Sequence, residues 1–204
     1  MLLTIKPSTA DSYLDDFFVD RNYGTYPSLE LQAWEGAHRR FVLKFDFSAL
    51  PDGAIISSTV LSVYYWAGHV PPGPEPGWPD LTGEAIGVYE LTQTGWVETE
   101  VTWNSYKTGN AWDVAGGDYT TMGGASTAVP SGYGWMSWDV LDLARHFQSS
   151  HGKVANFLIK IVNETSRPDM LRWALFKSNQ GVPTSIRPVL EITYTPLLAY
   201  SYIF

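Results

Sequence analysis

The stretch Arg39–Phe47 (RRFVLKFDF) decides the fold class of this chain. Every second side chain from Phe41 to Phe47 is large and apolar. Because side chains in a β-strand alternate between two faces, these residues share one dominant buried face. A turn sequence, Pro51–Gly53, follows. The next segment, Ile55–Trp66, is rich in the β-branched and aromatic residues that favour strands. The pattern predicts two successive strands of a β-rich domain.

The rest of the chain continues in the same way, with short strands separated by turns. Residues 139–149 are the helical exception, because Val140, Ala144 and Phe147 recur at helical spacing and Asp139 is placed to cap the helix. The five prolines of 70–79 exclude a central strand there. The glycine-rich segment Val101–Gly134 is expected to be a long ordered loop. The predicted strands are Arg39–Phe47, Ile55–Trp66, Glu84–Leu91, Met136–Trp138, Val154–Val162, Met170–Lys177 and Pro188–Tyr194.

We therefore predict an all-β fold, a jelly-roll β-sandwich of about ten strands with one short helix. The 204 residues fit one domain, to which we assign residues 1–196. Residues 197–204 form an apolar tail, predicted to be a strand that packs on its own sheet or on a neighbouring subunit. The candidate interface residues of the tail are Leu197, Leu198, Tyr200, Tyr202 and Phe204.

Composition excludes several classes of function. The net charge of −8 and the pI of 4.8 argue against binding to nucleic acid, whose phosphates demand a basic surface. No segment approaches the roughly 20 apolar residues of a membrane span, so membrane insertion is not expected. The chain has no cysteine, which removes disulfides and thiolate sites. It starts without a signal-peptide pattern, so we expect either a protein made without Sec export or a trimmed secreted module.

No catalytic residues are predicted, because no nucleophile, phosphate-binding or dinucleotide-binding motif is present. Glu98 and Glu100 are two residues apart, which in a strand would place both carboxylates on one face, about 6–7 Å apart. We interpret Glu98 instead as a carboxylate that holds a loop through backbone N–H groups. His146 and His151 lack the spacing of a helical zinc motif, and we interpret His146 as a helix-end side chain.

The acidic residues near the start of the chain suggest a metal site. Calcium prefers six to eight oxygen ligands from carboxylates and irregular backbone. One structural calcium ion is therefore the candidate cofactor, with ordinary loop aspartates as the alternative. The candidate ligands are Asp11, Asp15, Asp16 and Asp118.

Aromatic residues in the predicted loops suggest a platform for sugar rings. The tryptophans Trp66, Trp96, Trp103 and Trp138 are better explained by packing in the core or at corners. The candidate glycan-binding residues are Trp78, Tyr106, Trp112, Tyr119, Tyr133 and Trp135.

An acidic glycan would also require cations near such a platform. The negative background of the whole chain argues against a strongly anionic ligand. The available cations are Arg39, Arg40, Lys44 and Lys107.

Several motifs, spread over residues 5–195, together resemble the DNRLRE-type domains, which are grouped with carbohydrate-binding module family 96 and its disaggregatase-related relatives. The most specific is Trp96–Asn104, which resembles the W-x-E-x-x-V-T-W-N motif of the family. The resemblance implies a jelly-roll fold without catalytic machinery, found in polysaccharide-degrading enzymes, surface adhesins and phage structural proteins, some of which bind acidic polysaccharides. The other similar stretches are Asp11–Tyr13 with Asn22–Gly24, Arg40–Ile55, Trp138–Leu143 and Arg187–Tyr194.

Two functions remain open from the sequence. The leading expectation is a non-catalytic virion surface component of a phage (a capsid decoration, fibre or tail protein) that contacts host glycans and assembles with other subunits or with itself. The alternative is a carbohydrate-binding module of a secreted polysaccharide-degrading enzyme or cell-surface protein. The expected location is accordingly a virion surface or the extracellular space.

Overall fold

A computed structural model describes residues 1–34, 37–66, 83–164 and 172–197 of the chain. Among these residues it has thirteen β-strands, one α-helix and one short 3-10 helix (Thr184–Ile186). The helix α1 is Leu141–Ser150. The strands are β1 (Leu2–Ile5), β2 (Ala10–Asp15), β3 (Ser28–Trp34), β4 (Ala37–Asp46), β5 (Ile55–Tyr65), β6 (Ala85–Leu91), β7 (Ser105–Lys107), β8 (Asn110–Ala111), β9 (Tyr119–Ala128), β10 (Gly134–Asp139), β11 (Val154–Ile161), β12 (Arg172–Lys177) and β13 (Val189–Thr195).

The strands form an all-β sandwich, as predicted. Eleven of them hydrogen-bond in the order β1-β13-β5-β12-β3-β4-β11-β6-β9, with β10 also paired to β5 and β2 also paired to β4. All the pairings are antiparallel. The link between β5 and β12 is a single residue pair, Phe176 opposite Tyr65. One sheet therefore folds over on itself and encloses the core.

The alternation in β4 places its aromatic residues where the sequence predicts. Phe41 and Phe45 are fully buried in a large cluster between the two halves of the sandwich, together with Phe157 of β11 and Phe147 of α1. We call this the inner cluster. Phe157 is the central ring, because Phe45 and Phe147 lie 6.4 and 5.4 Å from it, centroid to centroid.

The opposite face of β4 is also covered, which differs from the prediction of one dominant buried face. Val42 is fully buried in a second cluster on that side, which we call the outer cluster. The segment 92–118 supplies most of the cover. The members of the outer cluster are Leu14, Val42, Leu91, Trp96, Val101, Trp112 and Leu158.

The segment 101–134 is the largest departure from the predicted secondary structure. It was expected to be a loop, but it contains β7, β8 and the ten-residue β9. β9 pairs with β6 at the sheet edge, with a register shift between Val88 and Glu90. β9 shows no apolar alternation, because small residues such as Gly123 and Gly124 occupy it. Gly124 packs against Tyr89, where a Cβ would come within 2.8 Å of the ring.

The predicted helix is confirmed at Leu141–Ser150, with Leu143, Ala144 and Phe147 buried against the sheet. The Asp139 carboxylate accepts a hydrogen bond from the Leu141 N–H at 3.1 Å. The whole proline-rich segment 70–79 and the tail after Leu197 lie outside the described residues. Across the described part of the chain, no helix is both long and apolar enough to cross a bilayer.

Candidate functional site

The outer face of the β3–β12 pair forms the floor of a groove. β3 and β12 are paired in register, with Glu30 opposite Leu175 and Ser28 opposite Lys177. Their alternate residues, such as Leu31 and Phe176, are buried in the inner cluster. Period two therefore turns Trp173, Leu175 and Lys177 away from the core and toward the groove.

One wall of the groove is the segment between β2 and β3. Asn22 anchors this segment, because its side-chain amide donates to the carbonyl oxygens of Glu98 and Val101, both at 2.7 Å. Gly24 packs so tightly against Glu98 that a Cβ would lie 2.0 Å from its carbonyl oxygen. No side chain larger than glycine fits there.

Three tyrosines pack together beside the floor. The rings of Tyr13 and Tyr23 are stacked with centroids 3.9 Å apart, and Tyr26 meets Tyr23 edge-on at 5.1 Å. Burial, with a further contribution from the Asp15 carboxylate, raises the pKa of Tyr23 to about 12. Tyr23 therefore stays neutral at physiological pH, and its hydroxyl donates to Asp15 at 3.3 Å.

The mouth of the groove combines accessible aromatic rings with cations. Trp66 is 36% exposed and Phe18 is 46% exposed. The Lys177 ammonium lies 3.7 Å from the centre of the Trp66 ring, and burial lowers the pKa of Lys177. The Arg21 guanidinium lies 5.1 Å from the Tyr23 ring. Within the described ranges, neither Arg21 nor Lys177 forms an ion pair with a carboxylate.

A charged network closes the inner end of the groove. Arg39 donates from Nε to Asp15 at 2.9 Å and from Nη1 to Glu30 at 2.6 Å. The Trp173 indole N–H also donates to Glu30, at 3.2 Å. Arg39 is thus shared between the carboxylates of Asp15 and Glu30, which leaves Arg21 and Lys177 as the lining cations without a carboxylate partner in the described part of the chain.

The groove has the character of a ligand site. Its volume is about 590 Å³, within the usual range for small-ligand pockets. Aromatic rings offer apolar faces, and free cations attract anionic groups. This combination suits a ring-shaped ligand that carries negative charge. The lining residues are Tyr13, Phe18, Arg21, Tyr23, Tyr26, Pro27, Ser28, Glu30, Arg39, Trp66, Trp173, Leu175, Lys177 and Val182.

The five described aromatic residues among those predicted to bind glycan do not form one platform. Trp112 is only 5% exposed and donates its indole N–H to the Thr102 carbonyl oxygen, as part of the outer cluster. Tyr106 and Tyr119 are half-buried against the same cluster. None of these three is presented as an open face.

The remaining predicted aromatics lie elsewhere. Tyr133 and Trp135 are exposed beside β5, where they contact Tyr65 and Tyr64 edge-on. Trp78 lies outside the described residues. Among the tryptophans assigned to packing, Trp96 and Trp138 are buried as expected and Trp103 is half-buried. The assignment of Trp66 to packing is corrected, because it lies at the mouth of the groove.

The cations predicted to be available are mostly engaged. Arg40 forms two hydrogen bonds of 2.9 Å with Glu164 and lies 5.0 Å from the Trp103 ring. Lys44 donates to the Trp96 carbonyl oxygen at 2.9 Å. Lys107 lies 5.7 Å from the Tyr106 ring, outside the groove. Arg39 alone of the predicted cations lines the groove, where it is paired.

The four aspartates predicted as calcium ligands each have local partners. Asp15 accepts from the Phe17 N–H and Asp16 from the His38 N–H, while Asp118 accepts from two N–H groups of its own loop. Asp11 accepts from Ser8 and from the Asn179 N–H. Among the described residues these carboxylates do not gather into a group of three ligands. Calcium binding stays a prediction.

Glu98 and Glu100 lie in a turn and not in a strand, so the basis for a same-face pair is absent. Glu98 accepts from the Asp11 N–H at 2.9 Å and from the Asn179 amide at 2.8 Å. Glu100 accepts from the Thr108 N–H at 2.8 Å. The hypothesis that Glu98 holds a loop through backbone N–H groups agrees with these contacts.

Apart from Arg39, the residues that line the groove were not predicted from the sequence. One signal was available: Trp173, Leu175 and Lys177 alternate with the apolar Ala174 and Phe176. A tryptophan and a lysine on the non-core face of a strand indicate a face that something covers or occupies. The lining residues of the segment 17–27 show no such alternation. Their position beside the sheet depends on how the chain folds between β2 and β3.

A β-sandwich with an aromatic, cation-bearing groove is typical of sugar-recognition modules, and jelly-roll sandwiches include lectin domains. Residues 4–194 match the model of carbohydrate-binding module family 96. The match covers nearly the whole chain, so the chain belongs to this family and is a carbohydrate-binding module. Modules of this kind are typically non-catalytic. A search of curated proteins gave no match.

Proposed function

We propose that the chain binds an acidic polysaccharide in the groove between β3–β12 and the segment 17–27. The main support for this proposal comes from two cations, Arg21 and Lys177. Each lies over an aromatic ring, and neither has a carboxylate partner in the described part of the chain. Trp66 and Phe18 supply faces for sugar rings. The two cations supply charge for carboxylate groups on the sugar.

The local charge of the groove favours this ligand class despite the acidic chain. The lining residues include three cations and one carboxylate, Glu30, and Arg39 is shared between Glu30 and the adjacent Asp15, so the cations outnumber the carboxylates by one. At physiological ionic strength charges beyond about 8 Å are largely screened. The groove therefore attracts an anionic sugar although the whole protein carries −8.

Affinity electrophoresis and isothermal titration calorimetry with a polyuronate and a neutral glucan test the proposal. Trp66→Ala is expected to weaken polyuronate binding about tenfold, and Arg21→Gln and Lys177→Gln about threefold to tenfold each. The losses in the two charge variants should shrink at high salt.

Matched controls come from outside the groove. Lys107 lies 5.7 Å from the Tyr106 ring, a longer contact than the 3.7 Å of Lys177 to Trp66, and Trp135 is an exposed indole. Lys107→Gln and Trp135→Ala should bind as the unaltered chain does. Equal losses in control and groove variants, or preference for the neutral glucan, would contradict the proposal.

A second proposal is that the module assembles on a virion surface. Leu2 of β1 and Ile55 of β5 lie opposite the end of β13, and Leu197 follows that strand; their exposed apolar side chains favour an interface there. The tail residues Leu198, Tyr200, Tyr202 and Phe204 lie outside the described residues.

Light scattering of the full chain and of a version cut after Thr195 tests assembly. An oligomer that becomes monomeric on cutting supports it. A monomer in both forms overturns tail-mediated assembly and favours a free-standing module of an extracellular protein.

A further inference from the structure

Glu90 is an anomaly on the core-facing side of β6. Ile86 and Val88 occupy the two preceding positions on this face and are fully buried in the inner cluster. Glu90 is the next residue on the same face of β6, lies opposite Phe157 of β11 and is only 8% exposed. A buried carboxylate is costly unless charge or hydrogen bonds compensate it. In the described part of the chain, the polar groups seen beside this carboxylate are two imidazoles, those of His146 and His151.

The two imidazoles come from the end of α1. His146 lies about one turn before the end of the helix, and His151 follows the last helical residue, with its N–H bonded to the Phe147 carbonyl oxygen at 3.1 Å. Gly152 then takes a φ of 60° and Lys153 a φ of 66°, which turns the chain sharply into β11. This turn holds His151 back under the helix, where its ring meets Phe147 at 5.6 Å.

The three side chains have the spacing of metal ligands. Glu90 Oε1 lies 3.2 Å from His146 Nε2 and 3.6 Å from His151 Nε2. One ligand atom from each residue lies within 4.8 Å of the others. Nitrogen and oxygen ligands bind zinc at about 2.0–2.2 Å, so two ligands of a tetrahedral ion lie about 3.4 Å apart. The two distances from Glu90 Oε1 thus differ from this separation by only about 0.2 Å each.

We infer that Glu90, His146 and His151 bind one divalent transition-metal ion of the zinc class. Two imidazole nitrogens and one carboxylate match the three-ligand sites of zinc, whereas calcium and magnesium prefer oxygen ligands throughout. The side chain of His146 is 46% exposed, which leaves a fourth position open to water. The ion would tie the end of α1 to β6 and offset the buried charge of Glu90.

This site shares no residue with the groove. Its ligands are spaced 56 and 5 residues apart along the chain, so no local sequence motif indicates the site. It also differs from the predicted calcium site, which draws on other residues and other donor atoms.

Isothermal titration calorimetry of ZnCl₂ into the untagged, chelator-stripped full chain tests the inference. We expect one zinc ion per chain, and no comparable binding of CaCl₂ or MgCl₂. Glu90→Gln, His146→Gln and His151→Gln should each weaken zinc binding at least about tenfold to 100-fold, since loss of outer-shell partners alone has that effect. Asp142→Asn, on an exposed carboxylate of the same helix, is the matched control and should bind zinc normally.

A thermal shift and Co²⁺ absorption give independent readouts. Zinc at about 100 times its Kd should raise the Tm by about 5–10 °C. The shift should vanish in His146→Gln, whose exposed position makes folding defects least expected. Co²⁺ bound in place of zinc should give the intense visible absorption bands of tetrahedral coordination. His146→Gln should lose these bands. Absence of stoichiometric zinc binding, or zinc binding retained in all three ligand variants, would overturn the inference.

Discussion

The two faces of β4 are buried by different means. The inner face carries Phe41, Leu43 and Phe45, which pack against other strands and α1. The outer face carries Val42, which is equally buried, but under the segment 92–118. The inner face is recognisable from period two, because its cover consists of other apolar strand faces. The outer face is not, because its cover comes from a segment without regular periodicity.

Specific polar contacts accompany burial on the outer face. Lys44 donates to the Trp96 carbonyl oxygen and lies 4.5 Å from the Trp96 ring. The Trp96 indole N–H donates to the fully buried Asn156 at 2.9 Å. Buried polar groups are tolerated only when they are paired. The stability of the outer layer therefore depends on specific polar partners, whereas the inner face of β4 is stabilised by close packing of apolar side chains.

The largest expected effect is on the inner face. Phe157→Ala removes the ring between Phe45 and Phe147 and leaves a cavity, so we expect a loss of about 3–5 kcal/mol in the free energy of unfolding. Urea denaturation measures it. A loss below about 1 kcal/mol would mean that neighbouring side chains move to fill the cavity and that the inner cluster is not closely packed.

The next effect concerns Asp11, which lies where β2 meets the outer segment through Glu98. Burial, together with the Glu98 carboxylate, raises the pKa of Asp11 to about 7. An unfolded aspartate titrates near 3.9, so the folded protein keeps a proton that the unfolded chain releases. Stability from this group is fully present below about pH 4 and is lost as the pH rises through 7.

Asp11→Asn removes that titration. The stability of the variant relative to the unaltered chain should increase between pH 4.5 and 8, on the order of 2–4 kcal/mol. Urea denaturation at pH 4.5, 6 and 8 gives the difference, with Asp142→Asn as the control for an exposed carboxyl. A difference that does not depend on pH would show that Asp11 is ionised in the folded protein.

On the outer face, Trp96→Phe keeps most of the apolar area but leaves the Asn156 carbonyl oxygen without its indole donor. We expect a loss of about 1–3 kcal/mol. The double variant Trp96→Phe with Asn156→Leu should recover part of the loss, because both polar partners are then gone. No recovery in denaturant titrations would assign the effect to packing and weaken the contrast between the two faces.

The smallest effect is expected at Trp135, which is exposed outside both clusters and the groove. Trp135→Ala should change the free energy of unfolding by less than about 1 kcal/mol. The substitution mainly removes the edge-on packing of the indole on the Tyr64 ring, whose centroid lies 5.5 Å away. A larger effect in thermal or urea unfolding would place Trp135 in a third packing cluster.

Sequence reasoning succeeded where structure follows local periodicity. The apolar alternation of Arg39–Phe47 and the helical spacing of Val140, Ala144 and Phe147 both predict the observed elements. The sequence does not predict β9, because small residues occupy it: Gly124 lies in close contact with Tyr89, and Gly123 lies beside Leu143. The sequence also does not predict which aromatic rings are exposed, because exposure of a ring depends on which segment folds over it.

By itself, the sequence determined the all-β class, the inner face of β4, the helix and the family. These rest on neighbouring residues, because side-chain direction is set by the backbone period. Only the tertiary structure decided the groove and the outer layer. Arg21 and Lys177 are separated by more than 150 residues, and their approach depends on strand register and on the anchoring of Asn22 and Gly24. The joining of Glu90 to the end of α1 has the same cause, since sheet pairing and a turn bring together side chains that no local pattern relates.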